Sequence, residues 1–146
     1  MRWTTKVKHM KKHIFIFMLL FGPIFLTAQA KDYKVVFDLT SKDTVDQKNV
    51  LRWATEILKQ DPGAQLEIVF YGQSLDLVVK DKSVAPDVVS KLAANKNFTF
   101  KVCSIAMKRH NIDNSQLLAG VQTVPDGIYE IVSKQKDGWG YIKVAH

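Results

Sequence analysis

The sequence predicts an α/β fold, a three-layer α/β/α sandwich built on a mainly parallel sheet of about five strands. Three observations carry that expectation. Short runs rich in β-branched and aromatic residues alternate with apolar stripes at helical spacing. The intervening helical stretches run about 10 to 16 residues, the length of a crossover between parallel strands, which is right-handed almost without exception. After residue 30 no linker, repeat or low-complexity tract interrupts the chain, and the 116 residues left of 146 suffice for one ordinary domain with a core of its own.

Ahead of the first element stands a segment of a different kind. Arg2, Lys6, Lys8, Lys11 and Lys12 precede an apolar run from Ile14 to Leu26, which ends in Ala28-Gln29-Ala30. A basic start, a run shorter than the roughly 20 residues needed to span hydrocarbon, and a small-x-small ending together describe a cleavable export signal over residues 1–30. The mature domain then covers residues 31–146 and works in the periplasm or outside the cell, with no stable membrane span after cleavage. No cysteine stands directly after the site, which argues against a lipoprotein.

The same segment carries most of the basic charge. Five of the 21 Lys and Arg residues and none of the 14 acids fall within it, so the net charge of +7 becomes 16 against 14, or +2, in the domain. A balance so near neutral excludes a nucleic-acid-binding role founded on bulk basicity.

Tyr33 to Thr40 (YKVVFDLT) reads as the first strand, and the Ser41 to Thr44 cluster supplies a helix cap. Val50, Trp53, Ala54, Ile57 and Leu58 stripe a helix over residues 45–60, with Trp53 expected in the core, and Asp61-Pro62-Gly63 stops it. Gln65 to Tyr71 is the second strand; Leu75 to Val79 is apolar without a clear period. Pro86 opens a helix within residues 85–95, and Phe98 to Val102 forms the third strand. A short helix over residues 104–110, a cap at Asn111 and a further helical turn over residues 115–119 follow. Val121 to Val124 is a short strand, Pro125-Asp126-Gly127 begins a helix reaching Gln135, and Asp137-Gly138 turns into the last strand, Trp139 to Val144.

Ligands of parallel sheets gather beyond the carboxyl ends of the strands. That places Asp38, Tyr71, Gln73, Ser74, Ser104 and Arg109 around one crevice, with Cys103 at its centre, although an aspartate at the position of Asp38 more commonly caps a helix or faces water. Cys103 is the single cysteine of the chain, so no internal disulfide is open to it. A lone thiol in an oxidising compartment is buried and inert, paired with another chain, or chemically employed. At the junction of a strand and a helix its sulfur would meet unpaired backbone N–H groups, with Lys108 and Arg109 adding positive potential nearby.

The run Val102, Cys103, Ala106, Met107, Arg109 and Ile112, continued by Leu118, Gly120, Val121, Val124, Pro125 and Gly127 and closed by Gln135, Gly138, Trp139, Tyr141 and Ile142, resembles the DsrE/DsrF-like family. That family includes small sulfur-relay proteins and YchN-type proteins. The resemblance spans the whole domain and implies a flavodoxin-like subunit assembled into homo-oligomers, trimers or hexamers. It also implies, as in some members, a cysteine, here Cys103, that takes up sulfane sulfur as a persulfide from a donor protein or passes it to an acceptor, a sulfurtransferase-like relay. Two positions depart from the family pattern: Ser104 stands where many relatives have a small residue such as glycine, and His110-Asn111 where a glycine follows the Arg-like position. Asparagine tolerates the left-handed backbone that glycine would serve there.

A second constellation is open. On a helix, Cys103, Met107 and His110 fall on one face at i, i+4 and i+7, a donor set suited to Cu(I) though incomplete by itself. Met107 as a core residue and His110 as a solvated one is the simpler account. Trp139 and Tyr141 read as packing or subunit contacts. No Ser/His/Asp set, paired catalytic carboxylates, phosphate-binding glycine loop or multi-cysteine zinc pattern occurs, and no cofactor is called for.

Overall fold

Five parallel strands lie in the order β4-β3-β2-β1-β5, formed by Gln122–Val124, Phe98–Cys103, Gln65–Phe70, Lys34–Leu39 and Gly140–Val144 respectively. The computed structural model describes residues 32–145, so the export segment expected over residues 1–30 lies outside the described residues. Helices α1 (Thr44–Gln60), α2 (Pro86–Ala93), α3 (Ser104–Arg109) and α4 (Gly127–Lys136) complete the regular elements, with single 3₁₀ turns at Leu75–Val78 and Asn114–Gln116. The expected three-layer architecture is present.

The two faces of the sheet differ in chemistry, because side chains alternate along each strand. Val35, Phe37 and Leu39 of β1, Ile68 and Phe70 of β2, and Phe98, Phe100 and Val102 of β3 point to one face, where they form the main core with Val50, Leu51 and Ala54 of α1 and Met107 of α3. Phe100 packs edge-on to Phe98 with ring centroids 4.6 Å apart and tilted against Phe70 at 5.9 Å. The opposite face carries a much smaller apolar cluster, Val36, Val69 and Ile131, and α4 is the helix that packs there. Its other strand positions include the polar Asp38, Glu67, Thr99 and Lys101.

Local chemistry accounts for the boundaries. Asp43, within the expected capping cluster, accepts a hydrogen bond from the Val45 N–H at 2.7 Å and starts α1. The buried stripe of that helix runs through Val50, Leu51 and Ala54, while Trp53, Ile57 and Leu58 are only partly covered, a rotation from the expected face. Pro86 sits in the first turn of α2, where its missing N–H costs no bond. Asn111 takes φ 53°, the left-handed position after α3. The helical turn expected over residues 115–119 lies earlier: Asp113 and Gln116 close a reciprocal capping box around residues 114–116, and Leu117 turns into the core.

A buried ion pair ties α4 to the sheet. Glu67, 1% exposed in the middle of β2, receives Lys134 of α4 at 2.9 Å and the Thr99 hydroxyl at 2.9 Å, both on Oε2. Its Oε1 has no partner among the described residues. Burial pushes the Glu67 carboxyl above its ordinary range, and Lys134 works against that rise. The Lys134 ammonium also lies 4.3 Å from the centre of the Trp139 ring.

Candidate functional site

The polar face of the sheet gathers a cluster at the carboxyl ends of its strands. The chain leaves β1 by α1 on the main-core face and enters β5 from α4 on the opposite face, which sets β5 beside β1 at the edge of the sheet. Register sets Asp38 of β1 opposite Lys143 of β5 and Val36 opposite Tyr141. The Tyr141 hydroxyl donates to Asp38 Oδ2 at 2.7 Å, and Lys143 Nζ donates to Asp38 Oδ1 at 3.0 Å and to Thr40 Oγ1 at 2.9 Å. Asp38 is thus neither a helix cap nor a solvated group, as commoner usage suggested, but a buried carboxylate with charged and neutral donors. Lys143 itself remains partly in water and lies 5.6 Å from the centre of the Tyr71 ring.

Tyr71, the residue after β2, connects this cluster to the thiol. Its phenol is raised above the ordinary tyrosine range, first by burial and then by the adjacent Asp38 carboxylate. Tyr141 is pushed up to about 12, chiefly by its hydrogen bond to Asp38 and then by burial. The stability contributed by a neutral Tyr141 is therefore complete below the ordinary value near 10 and is lost as the pH rises through about 12. In an Asp38→Asn variant the Tyr141 titration should fall back toward ~10. Phenolate absorbance against pH, with Tyr141→Phe to identify the transition, checks this.

Cys103 closes β3 on the same face. It is 6% exposed and is the N-cap residue of α3, though its side chain makes no capping hydrogen bond there. The first turn of α4 covers it. A methyl group added at Gly127 would lie 3.2 Å from Cys103 Cβ, 3.2 Å from Val69 Cγ1 and 3.5 Å from Tyr71 Cδ1, so a glycine lets the helix settle directly onto the cysteine. Asp126 caps that helix through the Ile128 and Tyr129 N–H groups.

The other expected crevice residues separate. Ser74 is fully buried and its hydroxyl donates to the Leu39 carbonyl at 2.6 Å and the Tyr71 carbonyl at 3.0 Å, a brace for the loop. Gln73 lines a small cavity of about 210 Å³ together with Lys42, Asp76 and His110. Ser104 is half-buried in the first turn of α3, and Arg109 is exposed in its last. Of the alternative metal donors, Met107 packs in the main core, whereas exposed His110 engages the Gly72 carbonyl through Nε2. Among the described residues no group of three or more His, Cys, Asp or Glu side chains is placed to hold a metal.

Two members of the site escape the sequence reading. Tyr141 was expected as a packing or subunit contact, and Lys143 went unremarked. The available signal was the alternation in GYIKV, which sets both on one face of a strand.

A family model described as DsrE/DsrF-like matches residues 34–144. Among solved structures, the chain is similar to a protein of unknown function, MTH1491 from Methanobacterium thermoautotrophicum, at 28% identity and TM-score 0.72, covering 77% of this chain and 99% of that one. The ychN protein of E. coli aligns at 14% identity and TM-score 0.65 over 77% of this chain and 98% of its own. BT1422 of Bacteroides thetaiotaomicron, also of unknown function, aligns at 17% and 0.57 over 76% and 94%. The latter two likenesses concern the fold alone. No curated protein matches the chain.

Proposed function

The chain belongs to the DsrE/DsrF-like family, and from that premise we propose that it is an exported, homo-oligomeric sulfur-handling protein whose Cys103 carries sulfane sulfur as a persulfide. The observation supporting this reading is the setting of the thiol. Cys103 ends a central strand beside Tyr71, on the sheet face where Asp38, Tyr141 and Lys143 meet.

The step requires no external oxidant or reductant. The Cys103 thiolate attacks the outer sulfur of a persulfide or polysulfide donor, the donor's S–S bond breaks as a new S–S bond forms on Cys103, and the electron pair leaves with the donor thiolate. That thiolate takes the proton Cys103 gave up. Release to an acceptor thiol is the same exchange in reverse.

Export rests on residues 1–30 as read above. Assembly is supported by the apolar side chains that α4 leaves in water, Ile128, Val132 and Tyr129, the last 74% exposed, beside the exposed Tyr141 of edge strand β5. Trimers or hexamers are the expected forms.

Native mass spectrometry of the protein accumulated by its host, before and after incubation with polysulfide, tests all three parts together. The expected result is a chain beginning at Lys31, a multimer of three or six, and one added sulfur atom that Cys103→Ser lacks. Absence of the adduct, or equal labelling of Cys103→Ser, overturns the sulfur role. Burial of Cys103 favours a second reading, an oligomer with an inert core thiol; rapid labelling of the native protein by a thiol reagent would exclude it.

A further inference from the structure

The face of the sheet opposite the Cys103 side chain holds a cavity larger than the one lined by Gln73. Helices α1 and α2 both follow parallel strands and lie side by side on the main-core face, and between them runs an open groove of about 580 Å³, within the range of small-molecule sites. Its floor is apolar, formed by Leu51 and Leu58 of α1 and by Ala85, Val88 and Leu92 at α2. Val88 is 40% exposed, and Leu58 is only partly covered by the core, so the helices leave apolar surface in water along their seam.

The rim is predominantly basic. Lys48, Arg52, Lys59 and Lys91 line the groove, and Glu56 is the one acid among its lining residues. Glu56 is already held by Lys59 at 2.8 Å. Arg52 meets only the neutral Asn49 amide at 3.5 Å, and among the described residues Lys48 and Lys91 have no acidic partner. The domain as a whole is close to neutral, so this concentration of unpaired cations around an apolar floor is local. Lys48 to Lys59 spans about 16 Å at 1.5 Å per residue.

We propose that this groove binds one long-chain carboxylate, its alkyl chain along the Leu51, Leu58, Val88 and Leu92 floor and its headgroup on the Lys48, Arg52 and Lys91 rim. The floor selects for an unbranched apolar chain, and the rim selects for a negative end over a neutral or positive one. The site is independent of Cys103 and of the sulfur reading, since it lies on the other side of the sheet.

Calorimetric titration of the full chain with dodecanoate, below its micelle concentration, tests the proposal. The expected result is saturation at one dodecanoate per chain. Binding should be at least ten-fold weaker for dodecyltrimethylammonium, for the double variant Lys48→Glu, Lys91→Glu, and for Val88→Trp, which fills the groove. All three substituted positions are exposed, so folding is preserved, and circular dichroism confirms it. No saturable binding, equal binding of the cationic amphiphile, or indifference to the charge reversals overturns it. So does a change of native mass on Val88→Trp, which would assign the groove to a second copy of the chain, or binding confined to phosphatidylglycerol vesicles, which would assign it to a membrane surface.

Discussion

Replacing Lys134 by methionine lowers stability by about 3–5 kcal/mol at neutral pH, because it strips the cation from a carboxylate that has nowhere else to turn. Glu67 is fully buried, one of its oxygens is without a partner among the described residues, and the Thr99 hydroxyl alone would remain on the other. The pH dependence identifies the cause. Glu67 already has a raised pKa in the folded protein, and loss of Lys134 removes the influence that holds the rise down. A carboxyl that binds its proton more tightly when folded contributes stability that is complete below its unfolded value and lost as the pH rises through its folded value. The deficit of Lys134→Met relative to wild type therefore shrinks on going from pH 7 to about pH 5, as urea unfolding at the two pH values will register. A cost equal at both would trace the loss to the Trp139 contact instead. The double variant Glu67→Gln, Lys134→Met recovers most of the stability, since the buried charge goes with its partner.

Phe100→Ala has a comparable cost, about 3–5 kcal/mol, by leaving a cavity where the ring stood against Phe70 and Phe98. Its use is as a probe of how Cys103 is reached. If reagents meet the thiol only when the whole domain opens, labelling of Cys103 accelerates in proportion to the unfolded population, about two to three and a half orders of magnitude at 1.4 kcal/mol per tenfold. If the first turn of α4 lifts off locally, labelling keeps nearly the wild-type rate, because Phe100 lies on the opposite face from Gly127. Exchange of thiol reagent into native protein at low concentration measures this, and it bears directly on the sulfur reading, which needs the local route.

The sheet was legible in the sequence because its signals are local. YKVVFDLT, QLEIVF and FTFKV alternate or run apolar over a strand's length, and Asp61-Pro62-Gly63 and Pro86 punctuate the helices between them. Cys103 was legible as a candidate for the same reason, being singular and at a strand end. The carboxylate network was not. Asp38 and Glu67 each sit between apolar neighbours in a strand, a pattern equally consistent with a face turned to water; what buries them is α4 and β5, and what satisfies Asp38 comes from Tyr141 and Lys143, 103 and 105 residues away. Periodicity assigns a residue to a face, but which strand lies alongside is a matter of topology, and β5 beside β1 is not predictable from either strand alone. The bracing role of Ser74 was not legible for a related reason: its hydroxyl proton goes to the Leu39 carbonyl, 35 residues away at the end of β1, and to the Tyr71 carbonyl.

The place of β5 also bears on the order of folding. The strands β1 to β4 pair outward in chain order, but the partner on the other flank of β1 is the last of the described strands. Until then Asp38 has neither Tyr141 nor Lys143, and a chain broken off before Gly140 keeps four paired strands and the cysteine while its buried carboxylate stays without these donors. Formation of the Asp38 cluster therefore waits on the pairing of β5 with β1.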